Sequence, residues 1–197
     1  MSIRLGDIAP DFTADTTQGV LSFHDWKEGA WAVLFSHPAD FTPVCSTELG
    51  RTAALSGEFA ARNAKAIAVS VDSVEDHLRW VPDIAEVAGV DVDFPIIADE
   101  DRSVSQAYDM IHPGEGDTST VRSVFLIDPS NTVRLTITYP KSVGRNFTEI
   151  LRALDALQAT DRAPISTPAE WVPGDRVIVA PAIATDDARE RYANVDE

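Results

Sequence analysis

Cysteine is nearly absent from this chain of 197 residues, which contains one, at position 45. A single cysteine cannot form a disulfide within its own chain, so a disulfide-stapled scaffold is excluded and a reducing, cytoplasmic location is expected. Basic residues are also few: the chain has 16 lysines and arginines against 32 aspartates and glutamates, which gives a formal net charge of −16. This charge opposes binding to nucleic acids and to anionic membrane surfaces, and neither is expected as a partner.

Long apolar segments are missing as well. The first residues, 1–7, lack the apolar core of a secretory signal, and no later run is long enough to span a bilayer. Hydrophobic residues nevertheless make up 44% of the chain, an ordinary share for a globular protein. The length and composition therefore predict one main globular domain with room for a small appendage.

The single cysteine follows a segment that predicts a strand, a turn and the start of a helix. The apolar residues 31–36 predict a buried strand, and Thr42-Pro43 is typical of a helix beginning, with threonine at the N-cap and proline first in the helix. Cys45 is then the third helical residue, where free backbone N–H groups and the helix dipole favour thiolate over thiol. The sequence thus predicts a nucleophilic sulfur at the tip of a strand–loop–helix unit.

Strand patterns alternate with helix patterns along most of the chain. The predicted strands are 31–36, 65–71, 94–98 and 176–180, with a hairpin that joins 123–127 to 133–139. Four helices are predicted, two of them over residues 43–62 and 102–108. A third is capped by Ser73 and ended by Gly89, with Pro82 as a kink or the start of a new turn, and a fourth is opened by Asn146. This order predicts an α/β, thioredoxin-like fold over residues 1–160, followed by a small C-terminal extension over 161–197.

Pro38, Thr42 and Cys45 form a P-x-x-x-T-x-x-C pattern within the run FSHPADFTPVCSTELG. Further segments follow this run over nearly the whole chain: DSVEDH at 72–77, FPIIAD at 94–99, Arg122 before VF, YP at 139–140, GRNF at 144–147 and WVPGD at 171–175. In composition and order these segments resemble the peroxiredoxins, and among them the one-cysteine, peroxiredoxin-6-type branch. The resemblance implies an enzyme that reduces hydrogen peroxide and alkyl hydroperoxides without a metal or organic cofactor. It also implies a homodimer with reciprocal C-terminal contacts.

The same resemblance implies roles for particular residues. Cys45 would be the peroxidatic residue, and Thr42, Arg122 and Pro38 would complete its pocket. The Thr42 hydroxyl would accept a hydrogen bond from the peroxide and also bond the thiolate, while the Arg122 guanidinium would supply a permanent positive charge. Structural alternatives exist, because Thr42 could act only as an N-cap and Arg122 could form a solvent-facing ion pair.

Two further residues are candidates for supporting roles around the cysteine. His37 lies in the predicted loop before it, where a purely structural histidine is an equally open interpretation. Arg145 precedes a helix N-cap, a place where the helix dipole offers nothing to a cation, so a role near the site is plausible for it.

One cysteine also constrains the chemistry. Attack of a thiolate on a peroxide breaks the O–O bond and leaves a cysteine sulfenic acid. Since no second cysteine in the chain can condense with it, turnover requires an external thiol or another small reductant. The alternative function is a peroxide-responsive redox sensor, in which oxidation of Cys45 alters a partner interaction.

Overall fold

Residues 3–116 and 118–179 are described by a computed structural model, in which the chain divides into two units after Arg145. The first unit, Met1–Arg145, is built on a mixed sheet. Its strands are β1 (Thr13–Thr16), β2 (Gly19–Ser22), β3 (Trp31–Ser36), β4 (Ala64–Ser70), β5 (Ile96–Ala98), β6 (Arg122–Ile127) and β7 (Val133–Tyr139). They form one seven-stranded sheet in the order β2-β1-β5-β4-β3-β6-β7, which confirms the predicted α/β, thioredoxin-like architecture.

The helices of this unit connect the strands. They are α1 (Phe23–Lys27), α2 (Pro43–Ala54), α3 (Ser56–Ala61), α4 (Val74–Ala88) and α5 (Ser103–Ala107), with a 3-10 turn at Pro113–Glu115. None of the helices within residues 3–116 and 118–179 is long and apolar enough to cross a membrane.

The interior strand β3 brings distant parts of the chain to one edge of the sheet. All six of its residues are buried, and it pairs parallel with β4 and antiparallel with β6. Antiparallel pairing places the start of β6 beside the end of β3, where the Ser36 hydroxyl donates to the Val121 carbonyl over 2.6 Å. The loop that follows β3 therefore begins next to Arg122, the first residue of β6.

Helix α2 begins as the sequence predicts. Thr42 is the N-cap with extended backbone and Pro43 is the first helical residue, which makes Cys45 the third. The predicted end near residue 62 is wrong, because the helix is interrupted at Leu55, whose N–H is shared between the Arg51 and Thr52 carbonyls. The Ser56-Gly57 pair that follows explains the break, since adjacent serine and glycine favour kinks.

The structure confirms both predicted ends of helix α4 and shows that Pro82 lies within it. The Ser73 hydroxyl accepts from the Asp76 N–H at its start, and Gly89 ends it in the left-handed conformation with φ of +70°. Only glycine adopts that backbone without steric strain. Pro82 lies inside the helix, which continues past it to Ala88.

The N-terminal hairpin of β1 and β2 is not predicted by the sequence pattern. One residue of the four in each strand is buried, so the apolar alternation that identifies a half-buried strand is too weak to detect. Gly19, the first residue of β2, follows the two-residue turn with φ of +96°, a conformation that suits glycine.

The second unit, Asn146–Glu197, starts with α6 (Phe147–Arg162), whose predicted N-cap is confirmed because the Asn146 side chain accepts from two backbone N–H groups. Strands β8 (Ile165–Ser166) and β9 (Ile178–Val179) then pair antiparallel. The last residue of the predicted strand 176–180 lies outside the described residues. The predicted domain boundary after residue 160 falls near the end of α6 and stays a prediction.

Close packing of α2 against α4 generates a stability prediction. A Cβ atom added at Gly50 would lie 2.9 Å from the Cβ of Ala88, closer than real carbon atoms approach. We expect Gly50→Ala to lower the free energy of unfolding, measured by urea titration, by about 1–3 kcal/mol because the helices must separate. Gly57→Ala is the matched control, since its added Cβ meets nothing within 4 Å and alanine favours the helix. Equal stability of the two variants would contradict the prediction.

Candidate active site

The sulfur of Cys45 lies in direct contact with an arginine. Cys45 is in the first turn of α2 and is fully buried, and Nη1 of Arg122 donates to its Sγ over 3.3 Å. Arg122 itself is 3% exposed, so it is not the solvent-facing ion pair considered as an alternative. The Cys45 sulfur is therefore held next to a permanent positive charge at a helix N-terminus, and both features favour a thiolate over a thiol.

A buried carboxylate one helical turn after the cysteine organises two arginines. Oε2 of Glu48 accepts from Nη1 of Arg122 over 2.7 Å and from Nη2 of Arg145 over 2.7 Å. Oε1 accepts from the backbone N–H of Arg145 over 2.7 Å and from its Nε over 2.9 Å. Paired, charge-assisted bonds of this kind fix the guanidinium planes as well as their distances.

Each arginine has a further anchor outside this carboxylate. Nε of Arg122 donates to the Lys141 carbonyl over 2.8 Å, and Nη1 of Arg145 donates to the Ser123 carbonyl over 2.9 Å. The Arg145 guanidinium also lies over the Phe35 ring at 5.1 Å, a cation–π contact with β3. Both cations are thus tied to strands or strand ends of the sheet.

The ionisation of this cluster follows from opposing effects. Burial raises the pKa of Glu48, but the hydrogen bonds and charge of Arg145, followed by the charge of Arg122, outweigh it and hold the pKa below its ordinary value. Burial lowers the pKa of Arg145, while its bonds to Glu48 act in the opposite direction. An arginine remains protonated even so, because its ordinary pKa is above 12.

Charge balance then favours a thiolate. Two guanidinium groups and one carboxylate leave a net charge of +1 in a buried cluster, and an ionised Cys45 cancels it. Uncompensated charge is unfavourable in a buried environment, so the cluster is most stable when the sulfur is ionised.

Thr42 and Pro38 lie in the loop between β3 and α2 that precedes the cysteine. Pro38 is buried there. The Thr42 hydroxyl donates to the Ala39 carbonyl over 2.9 Å and makes no capping bond to the helix. Its proton is therefore engaged, so the expected bond from Thr42 to the thiolate is absent from this arrangement. The oxygen lone pairs of Thr42 stay available to accept a hydrogen bond from a peroxide.

His37 is directed to a different partner. Its Nε2 lies 2.8 Å from Oδ1 of Asp40, and both side chains are buried. Within residues 3–116 and 118–179, no hydrogen bond joins His37 to Cys45. Burial lowers the pKa of His37, and its bond to Asp40 and the charge of Asp40 only partly offset this.

Sequence reasoning identified Arg122 and Arg145 but missed the acid between them. Glu48 is 97 residues from Arg145 in the chain, and no local pattern connects the two. One signal was present, because residues i and i+3 share a helix face and Glu48 stands three residues after Cys45. An acidic residue on the face of a helix that carries a nucleophile was the available hint.

Glu48→Gln should separate ionisation of the sulfur from its reactivity with peroxide. Removing the carboxylate leaves more positive charge near Cys45, so the thiolate persists, but Arg122 loses the bond that fixes its orientation. We expect the second-order rate constant with hydrogen peroxide to fall by about 10- to 100-fold, because displacing a positioning group by about 1 Å lowers reaction rates by up to this amount. Alkylation of Cys45 by iodoacetamide at neutral pH should not slow.

Glu58→Gln is the control, because Glu58 is exposed in α3 and its ion pair is with Arg62. A Glu48→Gln protein that is oxidised as fast as this control would contradict the role given to the carboxylate.

Comparison with known proteins places this geometry in a family. The AhpC/TSA family model matches residues 5–136, and the model for the C-terminal domain of 1-Cys peroxiredoxin matches residues 156–194. The 1-Cys peroxiredoxin of Dictyostelium discoideum is 49% identical over 190 residues, which cover 96% of this chain and 79% of that protein. Peroxiredoxin-6 of Gallus gallus is 48% identical over 198 residues, covering 96% of this chain and 88% of that one.

Solved structures agree with the sequence relatives. A cysteine-to-serine mutant of the peroxiredoxin 6 of Arenicola marina superimposes with a TM-score of 0.92 at 46% identity, covering 98% of this chain and 90% of the other. The yeast mitochondrial 1-Cys peroxiredoxin, solved in work on its thiol resolving mechanism via glutathione/thioredoxin systems, gives 0.90 at 48% identity, with coverage of 98% and 93%. With its single cysteine set against Arg122, the chain belongs to the peroxiredoxins, which are thiol-dependent peroxidases, and to their one-cysteine type.

Proposed function

We propose that the protein reduces hydrogen peroxide and alkyl hydroperoxides by a one-cysteine cycle at Cys45. The observation that carries this proposal is the contact between Nη1 of Arg122 and Sγ of Cys45, with Glu48 fixing the arginine from the other side. The same guanidinium that favours the thiolate is placed to stabilise charge on a peroxide oxygen bound to it.

In the first step the thiolate of Cys45 attacks one peroxide oxygen. The S–O bond forms as the O–O bond breaks, the attacked oxygen keeps its hydrogen, and the leaving oxygen takes a proton from solvent to give water or an alcohol. Cysteine is oxidised by two electrons to the sulfenic acid. Arg122 stabilises the negative charge that develops on the leaving oxygen, and Thr42 accepts from the peroxide O–H.

The second step is reduction by thiols from outside the chain. One thiol displaces water from the sulfenic acid to form a mixed disulfide, and a second thiol releases Cys45 and leaves as the oxidised disulfide. Because Cys45 is buried, such a reductant reaches the sulfur only if the loop or the first turn of α2 moves. Glutathione is the first reductant we would test, given the systems named for the yeast relative.

A homodimer remains part of the proposal. In its favour, β7 is an end strand of the sheet, and such a strand offers backbone groups that a second copy can pair with. Val172 and Ile178 in the second unit are about half exposed, so a second copy could cover them. The cytoplasmic location expected from the sequence stays a prediction.

A single-turnover experiment tests the function. Reduced protein is mixed with one equivalent of hydrogen peroxide, and the reaction is followed by tryptophan fluorescence and intact mass. The indole of Trp80 is a suitable reporter because its Nε1 donates to Oγ of Ser46, the residue after the cysteine. We expect rapid addition of one oxygen atom, and a return to the starting mass when glutathione is added.

The control is Cys45→Ser, which should gain no oxygen and show no fluorescence change. A wild-type reaction no faster than that of free cysteine would overturn the proposal. Rapid oxidation that neither glutathione nor thioredoxin reverses would instead favour the redox sensor.

A further inference from the structure

A second buried cluster lies behind the loop that leads into α2. The Asp40 carboxylate is placed between two histidines, with Oδ1 at 2.8 Å from Nε2 of His37 and Oδ2 at 2.6 Å from Nδ1 of His77. Nε2 of His77 lies 3.1 Å from the Ile97 carbonyl on β5. Both histidine side chains are fully buried, and Asp40 is 7% exposed.

The distances between these atoms indicate hydrogen bonds between the side chains rather than coordination of a metal ion. Two histidines and a carboxylate are a possible ligand set, and the three groups lie within 4.8 Å of one another. Ligand atoms bound about 2.0–2.1 Å from one tetrahedral zinc stand about 3.3 Å apart, as that geometry requires. Separations of 2.6 and 2.8 Å are those of charge-assisted hydrogen bonds.

Donor and acceptor roles then assign the protons. A carbonyl can only accept, so Nε2 of His77 carries a proton toward Ile97. Burial raises the pKa of Asp40, but its bonds to His37 and then His77 outweigh this and hold the pKa below its ordinary value, so the carboxylate is ionised. It can only accept as well, which requires a proton on Nδ1 of His77. With Nδ1 facing the carboxylate and Nε2 facing a carbonyl, the geometry favours a proton on each ring nitrogen of His77.

His37 takes the complementary neutral form. Its Nε2 donates to Asp40, and its Nδ1 is buried with no hydrogen-bond partner among the described residues. Burial is the main cause that lowers the pKa of His37, in keeping with a neutral ring. The cluster therefore contains one positive charge, on His77, and one negative charge, on Asp40.

This ion pair holds the loop between β3 and α2. Asp40 belongs to that loop, His77 to α4, and the backbone N–H of Asp40 also donates to the Asp72 carboxylate over 3.1 Å. The next residue, Phe41, has a φ of +56°, a left-handed conformation that is strained for a bulky residue. Such strain persists only where neighbouring contacts fix the backbone, and Asp40 supplies those contacts.

We propose that His77, as an imidazolium paired with Asp40, is a positioning residue that holds the loop carrying Pro38 and Thr42 in the geometry that accepts a peroxide. The positioning role rests on the proposed peroxidase function, while the protonation state of His77 does not. His77 touches neither Cys45 nor Arg122 through any hydrogen bond of the described residues, so its effect passes through Asp40.

Nitrogen NMR of the reduced, ¹⁵N-labelled protein tests the protonation state. The chain has four histidines, so each ring can be resolved, and His77→Gln assigns the signal. At neutral pH we expect both nitrogens of His77 to have the shifts of protonated imidazolium. In Asp40→Asn, which keeps the volume but removes the charge, His77 should become neutral. A neutral His77 in the wild-type protein would overturn the proposal.

Stopped-flow oxidation by hydrogen peroxide tests the positioning role. We expect Asp40→Asn and His77→Gln to slow oxidation of Cys45 by about tenfold or more, since small displacements of positioning groups have effects of this size. His112→Gln is the control, because its ring bonds a local carbonyl, that of Asp109, and its rate should match the wild type. Circular dichroism establishes that each variant is folded, and if one does not fold, the other variant decides.

The outcomes separate the two proposals. Folded Asp40 and His77 variants that react as fast as the wild type would overturn the positioning role and leave the peroxidase function intact. A wild-type rate no faster than free cysteine would overturn the peroxidase function, and the positioning role with it.

Discussion

The site depends on the hydrogen bonds that two arginines donate to the Glu48 carboxylate. One carboxylate receives N–H donors from Arg122 at the start of β6 and from Arg145 after β7, and it projects from the helix that carries Cys45. It thereby joins the nucleophile's helix to the sheet. Without it, two buried cations would repel each other next to the sulfur. With it, the cluster has a single excess positive charge, which an ionised Cys45 neutralises.

The acidity of the whole chain does not weaken this arrangement. A net charge of −16 disfavours an additional anion in general, but charges on the surface are largely screened beyond about 8 Å at physiological salt. Arg122 is 3.3 Å from the sulfur and buried, so no solvent screens its charge. Local geometry therefore decides the ionisation of Cys45. The second cluster, Asp40 with His77, follows the same rule, since each buried charge has its partner within hydrogen-bond distance.

The sequence predicts well those features that depend on neighbouring residues. The strand at 31–36 and the helix start at Thr42 agree with the structure because burial and capping leave local signals. Features created by pairing distant segments were missed. The Glu48–Arg145 contact spans 97 residues, and the Asp40–His77 contact spans 37. The apolar periodicity also mispredicted the end of α2. The helix is interrupted at Leu55, before a serine–glycine pair that leaves the apolar pattern unchanged. Arg122 was identified through family resemblance, since nothing in its local sequence distinguishes it.

The most direct test of the account is the amount of thiolate in the reduced protein at neutral pH. Ultraviolet absorbance detects the thiolate, and a single cysteine makes the signal unambiguous once the spectrum of Cys45→Ser is subtracted. The charge balance around Glu48, Arg122 and Arg145 predicts close to one thiolate per chain. A protein whose cysteine is protonated at neutral pH would contradict the central claim, because the cluster would then leave its positive charge uncompensated.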